Sequence, residues 1–324
     1  MTTELLDALN SPDSAIIRAA ELLRSGEVVG FPTETVYGLG ACIFNETAVR
    51  KIYEAKGRPQ DNPLIAHIAS IEDAKRIAVN IPDEFYRLAD AFFPGALTVI
   101  LRKRKQVPSI VSAGLDTIAV RMPAHEIALR IIAEAGEPLV APSANRSGKP
   151  SPTSAQHVFD DLNGRIAAIV DGGKCRVGIE STIIDILGDI PVIVRPGSIT
   201  GENIEQILGK KVIIHSAGES PVPIAPGMKY RHYAPQAIVK LKKSWEEISE
   251  EIDKNPNYKR MILTTEEAPA KLKDIVFSLS TETIYAEFRR ADAESFQEIL
   301  ILCSDTVQTN TALMNRIAKA ASGT

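Results

Sequence analysis

Residues 30–40 read GFPTETVYGLG, and this segment indicates the fold most clearly. An apolar run, residues 28–31, leads into it and predicts a buried strand that ends at Pro32. Hydroxyl, carboxylate and phenol side chains follow, together with two glycines. A buried strand that opens into small polar residues usually presents them to a ligand rather than to a core.

Later segments repeat this design. They are KGRP (56–59), TIAVRMP (117–123), LVAPSAN (139–145), GIEST (178–182) and VRPG (194–197). The first places two cations on a turn, and each of the others puts a hydroxyl, an amide or an arginine where a strand is predicted to stop. A site that is built from many strand ends and is rich in hydroxyls and arginines suits a small anionic ligand.

Composition predicts a globular protein of about two domains. The chain has 324 residues, 44% of them hydrophobic, and a net charge of −4, which does not favour nucleic acid binding although a local basic cavity is compatible with it. Cys42, Cys175 and Cys303 are far apart, and the N-terminus has no apolar signal segment, so we expect a reducing cytoplasm. No run approaches the roughly 20 apolar residues of a membrane helix.

Helical and strand patterns alternate from residue 14 to residue 214 and predict an α/β fold. The expected strands are 28–31, 63–69, 97–102, 117–121, 139–141, 166–170, 182–186 and 192–195. The expected helices are 14–25, 46–56 (with Asn45 as N-cap), 72–78, 83–92, 124–135, 154–162 and 199–208. Strands 182–186 and 192–195 predict an antiparallel hairpin, so the sheet is expected to be mixed.

The remainder of the chain predicts a second, smaller unit. Residues 215–236 are rich in proline and glycine and are expected to be a linker, although they also contain Lys229, Tyr230, Arg231, His232 and Tyr233. Strands are expected at 237–241, 261–264, 275–279 and 298–302, with helices at 244–253, 283–290 and 306–321. This alternation predicts a small α/β domain with a parallel sheet.

Several familiar motifs are excluded. GLG at 38–40 lacks the third glycine of a dinucleotide fingerprint, because Ile43 stands there. SGKP at 147–150 lacks both the first glycine and the final hydroxyl of a P-loop. The five histidines show no metal-ligand spacing, so no protein-held metal is expected. Ser143 lies in no nucleophile elbow, and hydrogen bonding to a ligand is the better interpretation of it.

The cations have alternative interpretations. Lys56 and Arg58 could simply complement the dipole at a helix C-terminus and be solvated. Arg121 and Arg195 each end an apolar strand, where a partly buried guanidinium needs a partner. That partner could be a structural carboxylate or an anionic ligand.

Taken together, the motifs resemble the YrdC-like family of threonylcarbamoyl-AMP synthases in its long, two-domain form. The motifs that carry the resemblance are PTETVYGLG, KGRP, TIAVRMP, APSAN with the following SG, GIEST and VRPG, in this order and spacing. The resemblance covers nearly the whole chain. It implies a YrdC-like catalytic domain over residues 1–214 with a twisted mixed sheet and flanking helices, a linker or lid over 215–236, and a small Rossmann-like α/β domain over 237–324.

The family implies a reaction of three anionic substrates. L-Threonine, bicarbonate or CO₂, and ATP give L-threonylcarbamoyladenylate and pyrophosphate, and the product supplies the threonylcarbamoyl group for tRNA t6A37 modification. A separate complex performs that transfer. Arginines, lysine, hydroxyls and backbone donors suffice for such chemistry, because it depends on positioning and electrostatic stabilisation. Mg²⁺ is expected to be carried by the phosphates of ATP.

The resemblance also implies roles for individual residues. The threonine site would contain Thr35, His67, Arg121, Ala141 (through its backbone) and Ser181. The nucleotide site would contain Lys56, Arg58, Asn62, Thr117, Ser143, Ser151, Arg195 and Tyr230. Tyr37 and Asn145 would line the same cavity, and Lys56 and Arg58 are expected to be the catalytic residues that stabilise the phosphates. Residues 215–236 are hypothesised to fold over the cavity and to bring Tyr230 to the nucleotide.

Two other functions stay open from the sequence. A carbamoyltransferase with the same core would carry an acylphosphatase module and zinc fingers, which the three scattered cysteines do not support. A double-stranded RNA-binding module would need a basic cavity and would bind in a salt-dependent way without threonine. Direct tRNA binding is therefore neither predicted nor excluded.

Overall fold

The structure is a computed structural model, and it describes residues 2–215 and 233–322. Among these, residues 2–147 and 151–215 form one compact unit, and residues 148–150 and 233–322 form a second. The expected linker lies largely outside the described residues, and Tyr230, Arg231 and His232 fall there with it. Within the described ranges, no helix is both long and apolar enough to cross a membrane. The domain boundaries at 214 and 237 stay predictions.

The first unit combines strands and helices in alternation. Its strands are β1 (Glu4–Asp7), β2 (Val29–Phe31), β3 (Gly38–Cys42), β4 (Ile65–His67), β5 (Ala78–Val79), β6 (Leu97–Lys103), β7 (Thr117–Arg121), β8 (Leu139–Val140), β9 (Ala168–Asp171), β10 (Thr182–Asp185), β11 (Val192–Arg195) and β12 (Ile213–Ile214). Its helices are α1 (Pro12–Arg24), α2 (Glu46–Lys56), α3 (Ala74–Ile77), α4 (Asp83–Phe92), α5 (Glu126–Ala135), α6 (Ala155–Leu162) and α7 (Gly201–Leu208). Short 3₁₀ helices cover Ile71–Asp73 and Ser109–Ser112.

These strands form one mixed sheet. The described strands follow the order β1-β9-β2-β3-β8-β4-β7-β6-β10-β11-β12, and β5 pairs with β6. β4 and β7 are parallel neighbours, whereas β6 and β7 are antiparallel, as are β10 and β11. The expected mixed sheet and the expected hairpin of β10 and β11 are therefore confirmed.

Helices cover both faces of the sheet. One hydrophobic cluster joins α1 and α5 to β2, β8 and β9, and it includes Ile16, Leu23 and Ile131. A larger cluster receives Val49 from α2 and Phe85 from α4, along with apolar residues of α6 and α7. Because each helix carries an apolar stripe on one side, the sheet becomes the shared middle layer of the unit.

Local signals fix the ends of the helix that leads to the KGRP turn. The Asn45 side chain accepts a hydrogen bond from the backbone N–H of Ala48, as expected of an N-cap. Gly57 ends α2 in the left-handed conformation, with φ of 61°, which costs glycine little. The chain therefore turns sharply after Lys56 and directs the following residues back toward β4.

The second unit is a parallel sheet with helices. Its strands are β13 (Ile238–Lys242), β14 (Arg260–Thr264), β15 (Val276–Ser278) and β16 (Glu298–Leu302), in the order β13-β16-β14-β15. All three strand pairs are parallel, as expected. Its helices are α8 (Trp245–Lys254), α9 (Ile284–Ala293), α10 (Asp305–Thr309) and α11 (Thr311–Ala321), and a 3₁₀ helix covers Ala270–Ile275.

Several details of the predicted elements are wrong. The expected helix over 306–321 is divided at Asn310, whose side chain caps α11 by accepting a hydrogen bond from the backbone N–H of Leu313. Asparagine favours such caps over helix interiors because its side chain competes for backbone donors. The short strands β1, β5 and β12 were not predicted from the sequence. Neither was β3, although it lies near the centre of the sheet between β2 and β8.

Candidate functional site

Two predicted residues lie at the same end of neighbouring strands. β4 and β7 are parallel and in register, so His67 lies beside Arg121 at their carboxyl ends. Both side chains are buried. Burial, assisted by the charge of Arg121, lowers the pKa of His67 to about 3, so its ring is neutral near pH 7. Nδ1 lies 3.2 Å from the carbonyl oxygen of Ile65, and a proton donated there leaves Nε2 as an acceptor.

The guanidinium of Arg121 has two protein partners. Its Nε donates to the carbonyl oxygen of Gly95 over 3.2 Å, and its Nη2 lies 2.7 Å from Oε1 of Glu34. Both members of this ion pair are buried, with only 5% of each side chain exposed. Burial raises the pKa of Glu34, but the charge of Arg121, a hydrogen bond from Arg121 and backbone hydrogen bonds together outweigh it, and the pKa is lowered overall. Of the two kinds of partner expected for Arg121, a structural carboxylate is therefore present, and it belongs to Glu34.

The PTETVYG segment folds around the hydroxyl of Thr33. Its Oγ1 donates to the carbonyl oxygen of Val36 over 2.6 Å and accepts from the backbone N–H groups of Thr35 and Val36. Thr33 Oγ1 and Thr35 Oγ1 are 2.9 Å apart. Because the single hydroxyl proton of Thr33 is already used, Thr35 must be the donor in this contact. The predicted threonine-site residue Thr35 is thus buried and fixed in orientation.

The opposite end of β4 and β7 carries three predicted nucleotide-site residues. Thr117 begins β7, and Asn62 lies just before β4, where its carbonyl oxygen and that of Pro63 accept hydrogen bonds from Arg58 Nη2 over 3.4 and 3.3 Å. The Asn62 side chain is buried, and among the described residues neither its amide nitrogen nor its amide oxygen has a hydrogen-bond partner. A buried amide of this kind is costly, which favours a hydrogen-bonding ligand at this position.

Lys56 is not the solvated cation that its place at a helix end suggested. It is only 2% exposed, and its Nζ donates to the carbonyl oxygens of Ser143 and Asn145 over 2.5 and 2.6 Å. Ser143 Oγ in turn donates to Asn145 Oδ1 over 2.6 Å. The ammonium group therefore organises the loop that carries two further predicted positions.

That loop is also tied to the first motif and to β4. The backbone N–H of Ala144 donates to the carbonyl oxygen of Tyr37, and that of Ala141 donates to the carbonyl oxygen of Ile65. Ile65 thus contacts two predicted threonine-site residues, Ala141 and His67. The Tyr37 hydroxyl donates to the carbonyl oxygen of Gly173 over 2.7 Å, and burial raises the pKa of this phenol far above its usual range.

The GIEST and VRPG motifs meet at the β10–β11 hairpin. Arg195 donates from Nε to the carbonyl oxygen of Ser181 over 3.0 Å and from Nη2 to its hydroxyl over 3.1 Å. Ser181 Oγ also lies 2.7 Å from Thr98 Oγ1. Ser151, from the loop beyond Asn145, donates to Glu180 Oε1 over 2.5 Å.

Hydrogen bonds to two adjacent backbone carbonyls connect these motifs to the Arg121 region. The carbonyl oxygen of Ala96 accepts from the backbone N–H of Thr182, next to Ser181, and that of Gly95 accepts from Arg121. The five predicted threonine-site positions therefore lie in segments that are hydrogen-bonded to each other or to a shared neighbour. Of the predicted nucleotide positions, all but Tyr230 lie in the described first unit. The division of roles between the two sets stays a prediction.

Sequence reasoning missed Glu34 as a site residue. The signal was present, because a carboxylate in a segment that leaves a buried strand needs a cation. Among residues 2–215 and 233–322, no group of three or more histidine, cysteine, aspartate or glutamate side chains has the arrangement to hold a metal ion.

Two models of known protein families match this chain. The family model described as Telomere recombination, which covers Sua5, YciO and YrdC, matches residues 21–197. A second model, described as Threonylcarbamoyl-AMP synthase, C-terminal domain, matches residues 199–322. The two matches together span most of the chain.

Individual relatives agree with these matches. A threonylcarbamoyl-AMP synthase of Bacillus subtilis is 46% identical, over 99% of this chain and 96% of that protein. A threonylcarbamoyl-AMP synthase of Schizosaccharomyces pombe is 37% identical, over 95% of this chain and 88% of that protein. The crystal structure of Pyrococcus abyssi Sua5 complexed with L-threonine superposes with a TM-score of 0.89 at 42% identity, over 99% of this chain and 98% of that chain.

The expected α/β architecture with its smaller C-terminal α/β domain is confirmed by this structural likeness. The order of motifs along the chain, the mixed sheet and both domain matches agree. This chain therefore belongs to the YrdC-like threonylcarbamoyl-AMP synthase family, in its long two-domain form.

Proposed function

We propose that this chain synthesises L-threonylcarbamoyl-AMP from L-threonine, bicarbonate and ATP, and releases pyrophosphate. The observation that carries the proposal is the arrangement at the two ends of β4 and β7. Arg121 and neutral His67 lie at one end, and Arg58, Asn62 and Thr117 lie at the other. A ligand with a carboxylate at one end and a phosphate chain at the other would match this distribution of charge. Support also comes from the name shared by the relatives.

In this proposal Arg121 binds the threonine carboxylate. Nε and Nη2 already contact Gly95 and Glu34, and within the described part of the chain no hydrogen bond from Nη1 is found. A guanidinium that is held on one edge can offer its remaining donors to a carboxylate with little loss of entropy. His67 acts as a neutral acceptor, because its lowered pKa keeps it from carrying a proton in the range where the enzyme would work.

The phosphates are proposed to lie near Arg58, with Asn62 supplying hydrogen bonds. The reaction moves negative charge from the α-phosphate onto departing pyrophosphate, and a preformed cation stabilises such charge without reorganisation. The predicted nucleotide positions contain no carboxylate, which is the side chain that Mg²⁺ most often takes from a protein. We therefore propose that Mg²⁺ enters on the ATP phosphates and neutralises part of their charge there.

The product is proposed to supply tRNA t6A37 modification through a separate transfer complex, in the cytoplasm. A mixed anhydride of this kind hydrolyses readily, so a consuming reaction must follow promptly. Bicarbonate as the carbon source and the transfer complex as a partner are both parts of the proposal.

The test is pyrophosphate release by the purified chain with ATP and Mg²⁺, across a panel of amino acids, with and without bicarbonate. We expect release that requires L-threonine and bicarbonate together, with serine as the amino acid most nearly tolerated. Release that depends on carbamoyl phosphate instead would favour a carbamoyltransferase. No release with any donor, together with salt-sensitive binding of RNA, would contradict the proposal.

A further inference from the structure

Glu34 occupies a central position among the segments that carry the predicted threonine site. It immediately precedes Thr35 in the chain, and its carboxylate forms the buried ion pair with Arg121. Its own carbonyl oxygen accepts a hydrogen bond of 2.7 Å from the backbone N–H of Val177, at the start of the segment that leads to Ser181. One residue therefore connects three separate parts of the sequence.

A buried ion pair is a poor way to stabilise a fold. Removing two charges from water costs several kcal/mol, and well-packed apolar side chains of similar volume often serve stability equally well or better. The Glu34–Arg121 pair lies where the strand β7 ends, between segments that carry hydroxyl groups, rather than within the apolar clusters of the sheet. The position of this pair favours a role in which Glu34 holds the Arg121 guanidinium in a defined orientation.

The geometry of Arg121 shows what that orientation would achieve. Gly95 accepts a hydrogen bond from Nε and Glu34 forms an ion pair with Nη2, so two protein groups of different kinds hold the guanidinium. Without the carboxylate, the guanidinium would keep one neutral acceptor and could rotate about its remaining side-chain bonds. Bidentate recognition of a carboxylate requires the fork to be held in the plane of its ligand.

We propose that Glu34 is a positioning residue for L-threonine, which fixes the Arg121 guanidinium through its side chain and the Ser181 segment through its main chain. This inference rests on the proposed function, since it assigns Arg121 to the threonine carboxylate. Glu34 itself does not touch the substrate. Its replacement should weaken threonine binding while leaving the nucleotide end of the site intact.

The experiment compares E34Q with a matched control, E298Q, by calorimetric titration with L-threonine and by steady-state kinetics. Glu298 is also a fully buried carboxylate paired with an arginine, Arg260, but it lies in the second unit. We expect E34Q to weaken threonine affinity about tenfold or more, with the KM for ATP changed less than about twofold. E298Q should lower stability and leave threonine affinity unchanged.

A double-mutant cycle tests whether Glu34 acts through Arg121. In an R121Q background, adding E34Q should change threonine affinity by less than about twofold, because the group that Glu34 positions is already gone. Full additivity of the two effects would overturn the inference. So would unchanged threonine affinity in E34Q, or an equal loss of affinity for threonine and for ATP.

A second variant, E34D, and the use of a binding measurement keep the inference testable. If E34Q does not fold, E34D retains the charge but shortens the reach to Arg121, and we expect an intermediate loss of threonine affinity with normal ATP binding. Normal threonine affinity in E34D would then overturn the inference. The titration needs no turnover. A wild-type chain that binds threonine but releases no pyrophosphate would therefore contradict the proposed reaction and leave the inference on Glu34 standing.

Discussion

A buried charge cluster in the second unit differs from two of the buried polar groups at the predicted site of the first unit. In the second unit, the buried carboxylate of Glu298 faces both Arg260, at 2.5 Å, and Lys240, at 2.7 Å. Arg260 also donates to the carbonyl oxygen of Asn255. In the first unit, Arg121 keeps donors beyond its two protein partners, and the amide of Asn62 has no hydrogen-bond partner among the described residues.

This difference separates two uses of a buried polar group. A cluster of charged side chains that pair with one another stabilises a fold, whereas a preorganised group with unused hydrogen-bonding capacity is prepared for a ligand. Side chains of the first kind should affect stability when changed, and those of the second kind should affect binding or rate. Substitutions at Arg58, Glu298, His67 and Asn62 test this distinction.

Arg58 should affect rate and leave stability nearly unchanged. Its Nη2 makes long hydrogen bonds, of 3.3 and 3.4 Å, to the carbonyl oxygens of Asn62 and Pro63. If it stabilises the phosphates in the transition state, R58A should lose about 3 kcal/mol of that stabilisation, or roughly 100-fold in kcat/KM. Pyrophosphate release measures the rate, and urea unfolding serves as the control. Near-normal turnover in R58A would mean that Arg58 is a structural cation and does not stabilise the transition state.

Glu298 should show the opposite behaviour. E298Q leaves Arg260 buried beside a neutral amide, and the loss of one charge from a buried pair typically costs about 3 kcal/mol of unfolding free energy. Urea unfolding followed by circular dichroism should show this as a lower midpoint. The kcat and both KM values should change by less than about twofold, since distant sites are usually independent. A large fall in activity with unchanged stability would break the comparison.

His67 should make stability depend on pH in a definite direction. Its pKa is about 3 in the folded chain, below the ordinary value of 6.5, so the unfolded chain binds more protons between these values. Stability therefore rises with pH across this window and is lost as the pH falls below 6.5. The group should contribute about 2 kcal/mol more at pH 7 than at pH 5. Urea unfolding of wild type and H67Q at both pH values isolates this contribution, and parallel pH profiles would contradict it.

Asn62 should affect nucleotide affinity with little effect on folding. N62A removes hydrogen-bonding groups that have no partner in the described protein, so the KM for ATP should rise about tenfold, equivalent to about 1.4 kcal/mol, at unchanged stability. N145A provides the contrast, because Asn145 Oδ1 accepts a bond from Ser143 and its loss should lower the melting temperature. A fall in stability for N62A with normal ATP kinetics would place Asn62 in the structural class.

Sequence reasoning succeeded where one local pattern sufficed. Asn45 and the apolar spacing after it define α2, and the antiparallel hairpin of β10 and β11 follows from two short apolar runs around a Gly-Asp turn. The strand-end motifs also located a dense set of polar residues, because polarity after a buried strand is itself a local signal.

The failures arise where the decisive partner is distant in sequence. GLGAC is weak as a strand by composition, yet Gly40 lies against the ring of Phe31 so closely that a Cβ there would be 2.7 Å from Cε1, and tertiary packing decides its conformation. The burial of Lys56 depends on carbonyl groups almost ninety residues away. Glu34 became informative only when Arg121 was seen beside it.

The pairing of β1 and β2 with β9 has a consequence for synthesis of the chain. Residues 4–7 and 29–30 both align with strand residues at 168–171, so these edges of the sheet stay incomplete until that distant segment leaves the ribosome. At roughly 5–20 residues per second, the interval lasts on the order of ten seconds or more. Although β2 can pair early with β3, its other edge stays unpaired during that time, and the sheet of the first unit cannot be completed before β9 is made.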